Sequence, residues 1–168
     1  MGSICGRIGG FIGGYSVECD VRDDGIFGRL GGMLVGANID LNISSNGNNI
    51  EGRIGGSIIG KDLKIKIDGN SAKGRLGGNV LGNDIVLSGN NNITGRCGGD
   101  VLGFDVNLNF DESSGKLTGR LGGTVIGMNV DYEIIDTQPI YGAIVATITY
   151  HFYKETQSRG CRRAGRNK

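Results

Sequence analysis

One phrase recurs six times along this chain: Gly-Arg-Φ-Gly-Gly, where Φ is apolar. The copies begin at Gly6, Gly28, Gly52, Gly74, Gly95 and Gly119, and their arginines are Arg7, Arg29, Arg53, Arg75, Arg96 and Arg120. In the fifth copy the apolar position is Cys97. Successive arginines lie 22, 24, 22, 21 and 24 residues apart. A unit this short cannot bury a core alone, so the copies must pack against one another. The chain holds 34 glycines in 168 residues, yet it has one proline and no collagen period. The apolar residues alternate, so the glycine content is not that of a disordered chain.

The fourth copy serves as a template. Ala72, Gly74, Leu76, Gly78 and Val80 share one face of an extended strand, and Lys73, Arg75, Gly77, Asn79 and Leu81 the other. Gly82-Asn83 then reads as a two-residue turn, since Gly-X between alternating runs suits type II′. Folding there sets Leu81 opposite Asp84, Val80 opposite Ile85 and Gly78 opposite Leu87. The matching turns are Gly14-Tyr15, Gly36-Ala37, Gly60-Lys61, Gly103-Phe104 and Gly127-Met128. The return strands put Val17/Cys19/Val21, Ile39/Leu41/Ile43, Leu63/Ile65/Ile67, Val106/Leu108/Phe110 and Val130/Tyr132/Ile134 on the apolar face. Polar residues alternate with them, as in an antiparallel sheet wetted on one side.

Short links join the hairpins at Asp23-Asp24, Ser45–Asn48, Gly69-Asn70, Gly89–Asn91 and Glu112–Gly115. Their differing lengths account for the uneven repeat step. That favours hairpins over a β-solenoid, the competing architecture, because a one-residue slip in a solenoid wall would turn side chains inside out. Six hairpins make twelve antiparallel strands, and closure into a barrel removes the two exposed edges.

The last apolar stretch, Ile140 to Tyr153, is the candidate filler. Pro139 after Asp136-Thr137-Gln138 reads as a helix start, and residues apolar on every side suit a buried helix. Val145, Thr147, Ile148 and Thr149 are β-branched and argue the other way, for strand. The expected layout is one domain over 1–157, with hairpin repeats over 1–135, a helix over 139–157 and a flexible basic tail over 158–168.

Charge is unevenly placed. From Lys154 to Lys168 there are six Lys/Arg and one Glu, while the rest of the chain is net acidic. The four cysteines, Cys5, Cys19, Cys97 and Cys161, have neither metal-ligand nor disulfide-framework spacing. The first residues lack the basic start and apolar core of a signal peptide. A reducing, cytoplasmic setting is expected.

The link-and-strand phrase Asp111–Thr118, the late strand Val130–Ile134 and the closing run Pro139–Ala146 resemble the tubby-like superfamily, in particular the LURP-one-related proteins. That resemblance covers the layout of nearly the whole chain. It implies a twelve-stranded barrel wrapped around a C-terminal hydrophobic helix. It also implies non-enzymatic work, with phosphoinositide or other lipid binding among the family's roles. The chain departs from the family in its regular glycine repeat, its lack of Trp and its basic tail, and no ligand motif is carried across.

The arginine ladder (Arg7, Arg29, Arg53, Arg75, Arg96, Arg120) reads as architectural. The hairpin register sets Arg29 opposite Glu18, Arg53 opposite Asp40 and Arg96 opposite Asp84, with Arg75 facing Lys64 and Arg120 facing Asn107. A row of arginines also suits phosphate or carboxylate. Gly55–Asp62 approaches a P-loop, but Asp62 stands where a hydroxyl is needed. His151 is the only histidine, so neither a histidine pair nor a metal cluster forms; no catalytic residue, metal or cofactor is expected. The functional expectation is a non-enzymatic binding or scaffold barrel. It would reach an anionic membrane surface, or another acidic partner, through Arg159, Arg162, Arg163, Arg166 and Lys168. Nucleic acid would use the same charges. The alternative is a self-associating structural β-repeat protein whose open edges template further pairing.

Overall fold

The computed structural model describes residues 1–9, 13–32, 35–56, 60–78 and 80–164, with the backbone alone for 159–164. Twelve strands are followed by one helix. The strands are β1 (Gly2–Gly9), β2 (Gly14–Arg22), β3 (Gly25–Gly31), β4 (Gly36–Ile43), β5 (Asn49–Gly55) and β6 (Gly60–Asp68). They continue with β7 (Ser71–Gly77), β8 (Gly82–Ser88), β9 (Asn92–Cys97), β10 (Phe104–Asp111), β11 (Lys116–Gly122) and β12 (Gly127–Ile135), and the helix is α1 (Pro139–Ala164). Each strand pairs antiparallel with its sequence neighbours, and β1 pairs with β12, so the sheet closes. The solenoid alternative is thereby excluded.

The alternation does what the sequence implies. Leu63, Ile65 and Ile67 of β6 are buried while Asp62, Lys64, Lys66 and Asp68 between them face water. The same pattern runs round the wall, so the outside is polar and the inside apolar. A membrane-spanning barrel needs the reverse, an apolar band facing outward.

α1 runs through the barrel. Every residue from Ile140 to His151 is buried, which is why no polar stripe interrupts the run. The β-branched threonines are accommodated as helix residues. The hydroxyls of Thr147 and Thr149 donate to the carbonyls of Ala143 and Val145, each at 2.7 Å, so neither polar group is orphaned in the core. Tyr132 of β12 is fully buried opposite Thr149, and burial pushes its phenol well above the ordinary value.

The first glycine of each phrase lies where neighbouring strands crowd. A Cβ on Gly74 would sit 1.9 Å from the Lys64 carbonyl oxygen, and one on Gly28 or Gly52 would sit 2.1 Å from the equivalent oxygen. The repeat therefore builds a girdle of bare backbone around the barrel.

Three expectations need correction. The hairpin does not turn at Gly82-Asn83. Gly77 pairs with Gly82 and Arg75 with Asp84, so the tip is the four residues from Gly78 to Leu81. The reversal starts at the second glycine of the phrase, where φ is +97° at Gly77 and +85° to +127° in the other copies. Arg75 thus replaces Leu81 as the partner of Asp84. The shift of six residues is even, so the side chains that remain in the paired strands keep their expected faces. Second, Arg96 faces Val86 rather than Asp84, because β8 and β9 pair two residues out of the expected register. Third, α1 does not stop at 157. It continues to Ala164 through residues expected in the flexible tail. Gly160 is the one weak helix former there, costing about 1 kcal/mol, and arginines suit a helix C-terminus.

Candidate functional site

The barrel has a tip end and a link end. β12 delivers the chain to the link end, so α1 starts there and emerges among the hairpin tips. Lys154 Nζ donates to the Leu102 carbonyl in the fifth tip at 3.3 Å, and the rings of Tyr15 and Tyr153 meet edge-on at 5.4 Å.

The tips are apolar where water meets them. Val80, Leu81, Val101, Leu102, Val125 and Ile126 are each 81–91% exposed, and Val35 is also exposed. These are the aliphatic pairs after the fourth, fifth and sixth phrases, and they project from one end of the molecule. Monomeric proteins rarely leave such patches to solvent unless something covers them. The register read from sequence places Val80 on the inward face of a strand. The four-residue tip puts it outside.

The arginine ladder anchors these tips. Arg53 Nη1 bonds Asp62 at 2.6 Å and Arg75 Nη1 bonds Asp84 at 2.5 Å, while Arg96 pairs with Asp105 in the same way. Arg29 and Arg120 donate instead to the side-chain oxygens of Asn38 and Asn129, each at 2.9 Å. Each guanidinium then reaches back to its own tip, to the carbonyl of Gly32, Gly56, Gly78, Gly99 or Gly123 at 3.1–3.3 Å. Arg7 reaches Gly13 O at 3.1 Å, and closure gives it Asp131 as a cross-strand neighbour. The signal that finds these partners is Arg-x8-Asp/Asn, present in five of the six copies. A turn placed at Gly82-Asn83 hides it.

The third feature lies just inside the tip end. Lys61, which the sequence places in a broken P-loop, donates to Glu155 Oε1 at 2.5 Å and to His151 Nε2 at 2.9 Å. Lysine only donates, so His151 accepts at Nε2 as a neutral imidazole. Burial, and then the neighbouring Lys61 charge, lower its pKa to about 4. Beside this group a cleft of about 300 Å³ opens between α1 and the second and third hairpins.

The residue following each tip-closing glycine points inward at α1: Tyr15, Ala37, Lys61, Asn83, Phe104 and Met128. Tyr15 meets Tyr153, and Phe104 meets Tyr150 edge-on at 4.7 Å. Ala37 offers only a methyl group, and it lines the cleft.

Among the expected binding residues, the backbone of Arg159, Arg162 and Arg163 lies in the last turns of α1, while Arg166 and Lys168 lie outside the described residues. Lys154 is level with the tips, so at 1.5 Å per residue Ala164 stands about 15 Å further along the axis. The inward cysteines, Cys19 and Cys97, are buried, and burial pushes each thiol up to about 12. Such thiols are inert packing groups. Tyr141 and Tyr150 are buried in the core.

No family model, curated protein or solved structure matches this chain.

Proposed function

We propose that the protein is a non-enzymatic, membrane-peripheral barrel that seats its tip end on an anionic lipid surface. The observation that carries this reading is the coincidence of two features at one end. Exposed aliphatic pairs in the fourth, fifth and sixth tips lie at the end from which α1 emerges, and the arginines of the chain's basic stretch continue from that exit. Aliphatic tips gain about 1.5–3 kcal/mol each when fully withdrawn from water, before ordering costs. Basic side chains add about 1 kcal/mol each near an anionic surface. A nucleic acid would use the charges but leave the aliphatic pairs wet.

A binding role is favoured over a chemical one by how the polar groups at this end are matched. The ladder arginines satisfy Asp and Asn partners and tip carbonyls, and Lys61 satisfies Glu155 and His151. The free thiols of Cys5, Cys19 and Cys97 accord with a reducing, cytoplasmic compartment. Among the described residues no helix is long and apolar enough to cross a membrane, which fits contact by tips and helix end. Closure of β1 on β12 removes the open edge that strand-templated self-assembly would need.

The test is co-sedimentation with phosphatidylcholine vesicles, with and without phosphatidylserine, at low and high salt. Wild type should bind only the anionic vesicles, and salt should weaken but not abolish binding. Two variants separate the contributions: Leu81→Asp/Leu102→Asp/Ile126→Asp and Arg159→Gln/Arg162→Gln/Arg163→Gln. Each should lose most binding. Wild-type binding by the aspartate variant sinks the reading.

A further inference from the structure

We propose that the cleft over Ala37 binds a neutral amphiphile, an apolar chain carrying an ester or alcohol head, of which a monoacylglycerol is the simplest case. The proposal does not rest on membrane docking.

Three observations lead to it. The cleft, about 300 Å³, is at the lower end of the sizes usual for small-molecule sites. Its walls are mostly apolar, from Tyr15, Leu30, Ala37 and Phe152, with Lys61 and Glu155 at one side. It also departs from the repeat. All five other hairpins place a bulkier side chain, Tyr15, Lys61, Asn83, Phe104 or Met128, at the position of Ala37. A close-packed interior normally fills such space, and here the second hairpin leaves it open.

The charge balance chooses the head group. Lys61 and Glu155 neutralise each other across 2.5 Å, and His151 beside them is neutral. A carboxylate in the cleft would face Glu155, and an ammonium would face Lys61. Either would leave an uncompensated charge in a partly buried site. An ammonium group has three N–H donors. Two go to Glu155 and His151, and the third suits a neutral acceptor such as an ester carbonyl or a hydroxyl. The chain then lies over Ala37 against Phe152 and Leu30.

The experiment is calorimetric titration of the full chain with monodecanoylglycerol below its micelle concentration, with decanoic acid and decylamine as charged counterparts. Wild type should bind the ester saturably, one to one, and more tightly than either counterpart. Ala37→Phe fills the cleft with the side chain that the fifth hairpin already carries, and it should weaken binding at least tenfold. Lys61→Met, which introduces the side chain found at this position in the sixth hairpin, should weaken it about fivefold by removing the donor. Leu81→Asp/Leu102→Asp should bind as wild type does, which separates this site from the lipid-facing tips.

The proposal is overturned if wild type shows no saturable binding, if a charged counterpart binds more tightly, or if folded Ala37→Phe binds as wild type does. Should Ala37→Phe fail to fold, methyl chemical shifts in wild type decide the location. Ester-induced shifts at Leu30, Val35 and Ala37 support the site, and shifts confined elsewhere overturn it.

Discussion

The two ends of the barrel are built from the same repeat and meet water in opposite ways. At the link end the chain reverses through Asp23-Asp24, Gly69-Asn70 and the Glu112–Gly115 loop, and in the last of these the side chains bond one another. Asp111 accepts from the hydroxyls of Ser113 and Ser114 at 2.7 Å, and these bonds hold its carboxyl below the usual range. At the tip end arginine from the strand below satisfies the loop carbonyls, while the fourth, fifth and sixth loops each expose a pair of aliphatic side chains. The backbone is anchored at both ends. At the tip end the described aliphatic side chains have no internal role, and that asymmetry separates a turn that merely reverses the chain from one that presents a surface.

The comparison breaks first if the girdle between the two ends fails. Gly74→Ala should cost about 3 kcal/mol or more in chemical denaturation, because its Cβ would meet the Lys64 carbonyl oxygen at 1.9 Å. Gly69→Ala at the link end, with φ +56° and nothing within 4 Å, should cost only about 1–2 kcal/mol. Equal losses would mean that the girdle is not what forbids a side chain.

Surface chemistry comes next. Leu81→Asp/Leu102→Asp should reduce anionic-vesicle affinity at least tenfold, or about 1.4 kcal/mol, while leaving stability within about 0.5 kcal/mol. Asn70→Asp at the link end, an exposed position, should change neither. Matching losses from both variants would erase the distinction between the ends.

Acid should destabilise the fold in a predictable window. His151 is held neutral in the fold, with its pKa lowered from 6.5 to about 4, so between those values the unfolded chain binds more protons than the folded one. Stability therefore falls as pH drops from about 6.5 toward 4, by at most about 1.4 kcal/mol per pH unit from this group. His151→Gln should flatten that part of the stability–pH curve. An unchanged slope would place the proton uptake elsewhere.

The smallest effect expected is from the ladder. Arg53→Gln should cost about 1 kcal/mol, since its pair with Asp62 is largely exposed, and it should leave vesicle binding intact. A large loss of binding with little loss of stability would make the arginine a lipid ligand.

Faces are easier to read from the sequence than ends. Alternation shows which residues of β6, β10 and β12 point inward, because a barrel wall has one dry side and any register error by an even number of residues preserves it. Alternation cannot show where a strand stops. Val80 continues the inward series from Ala72, Gly74, Leu76 and Gly78, so the pattern carries it into the core when the Gly77 reversal in fact carries it out to solvent. For the same reason half of the candidate site is visible in the sequence and half is not. The arginines of the basic stretch stand out by charge, whereas exposed aliphatic residues look like core residues until the turn is placed. The cleft over Ala37 depends on strands from separate hairpins converging on a helix, and only the closed barrel brings them together.

Closure has a consequence for how the molecule is made. β1 finds its partner in β12, and the interior is filled by α1, which follows β12 in the chain. During synthesis the early hairpins leave the ribosome as a curling sheet with a free edge and an uncovered apolar face. They remain so until the residues through Tyr150 have emerged. Contacts between such distant segments form late and expose intermediates to aggregation. The hairpins before that point form a nascent chain for which a chaperone's protection matters most, and a stall between Ile135 and Tyr150 is where the fold is most easily lost.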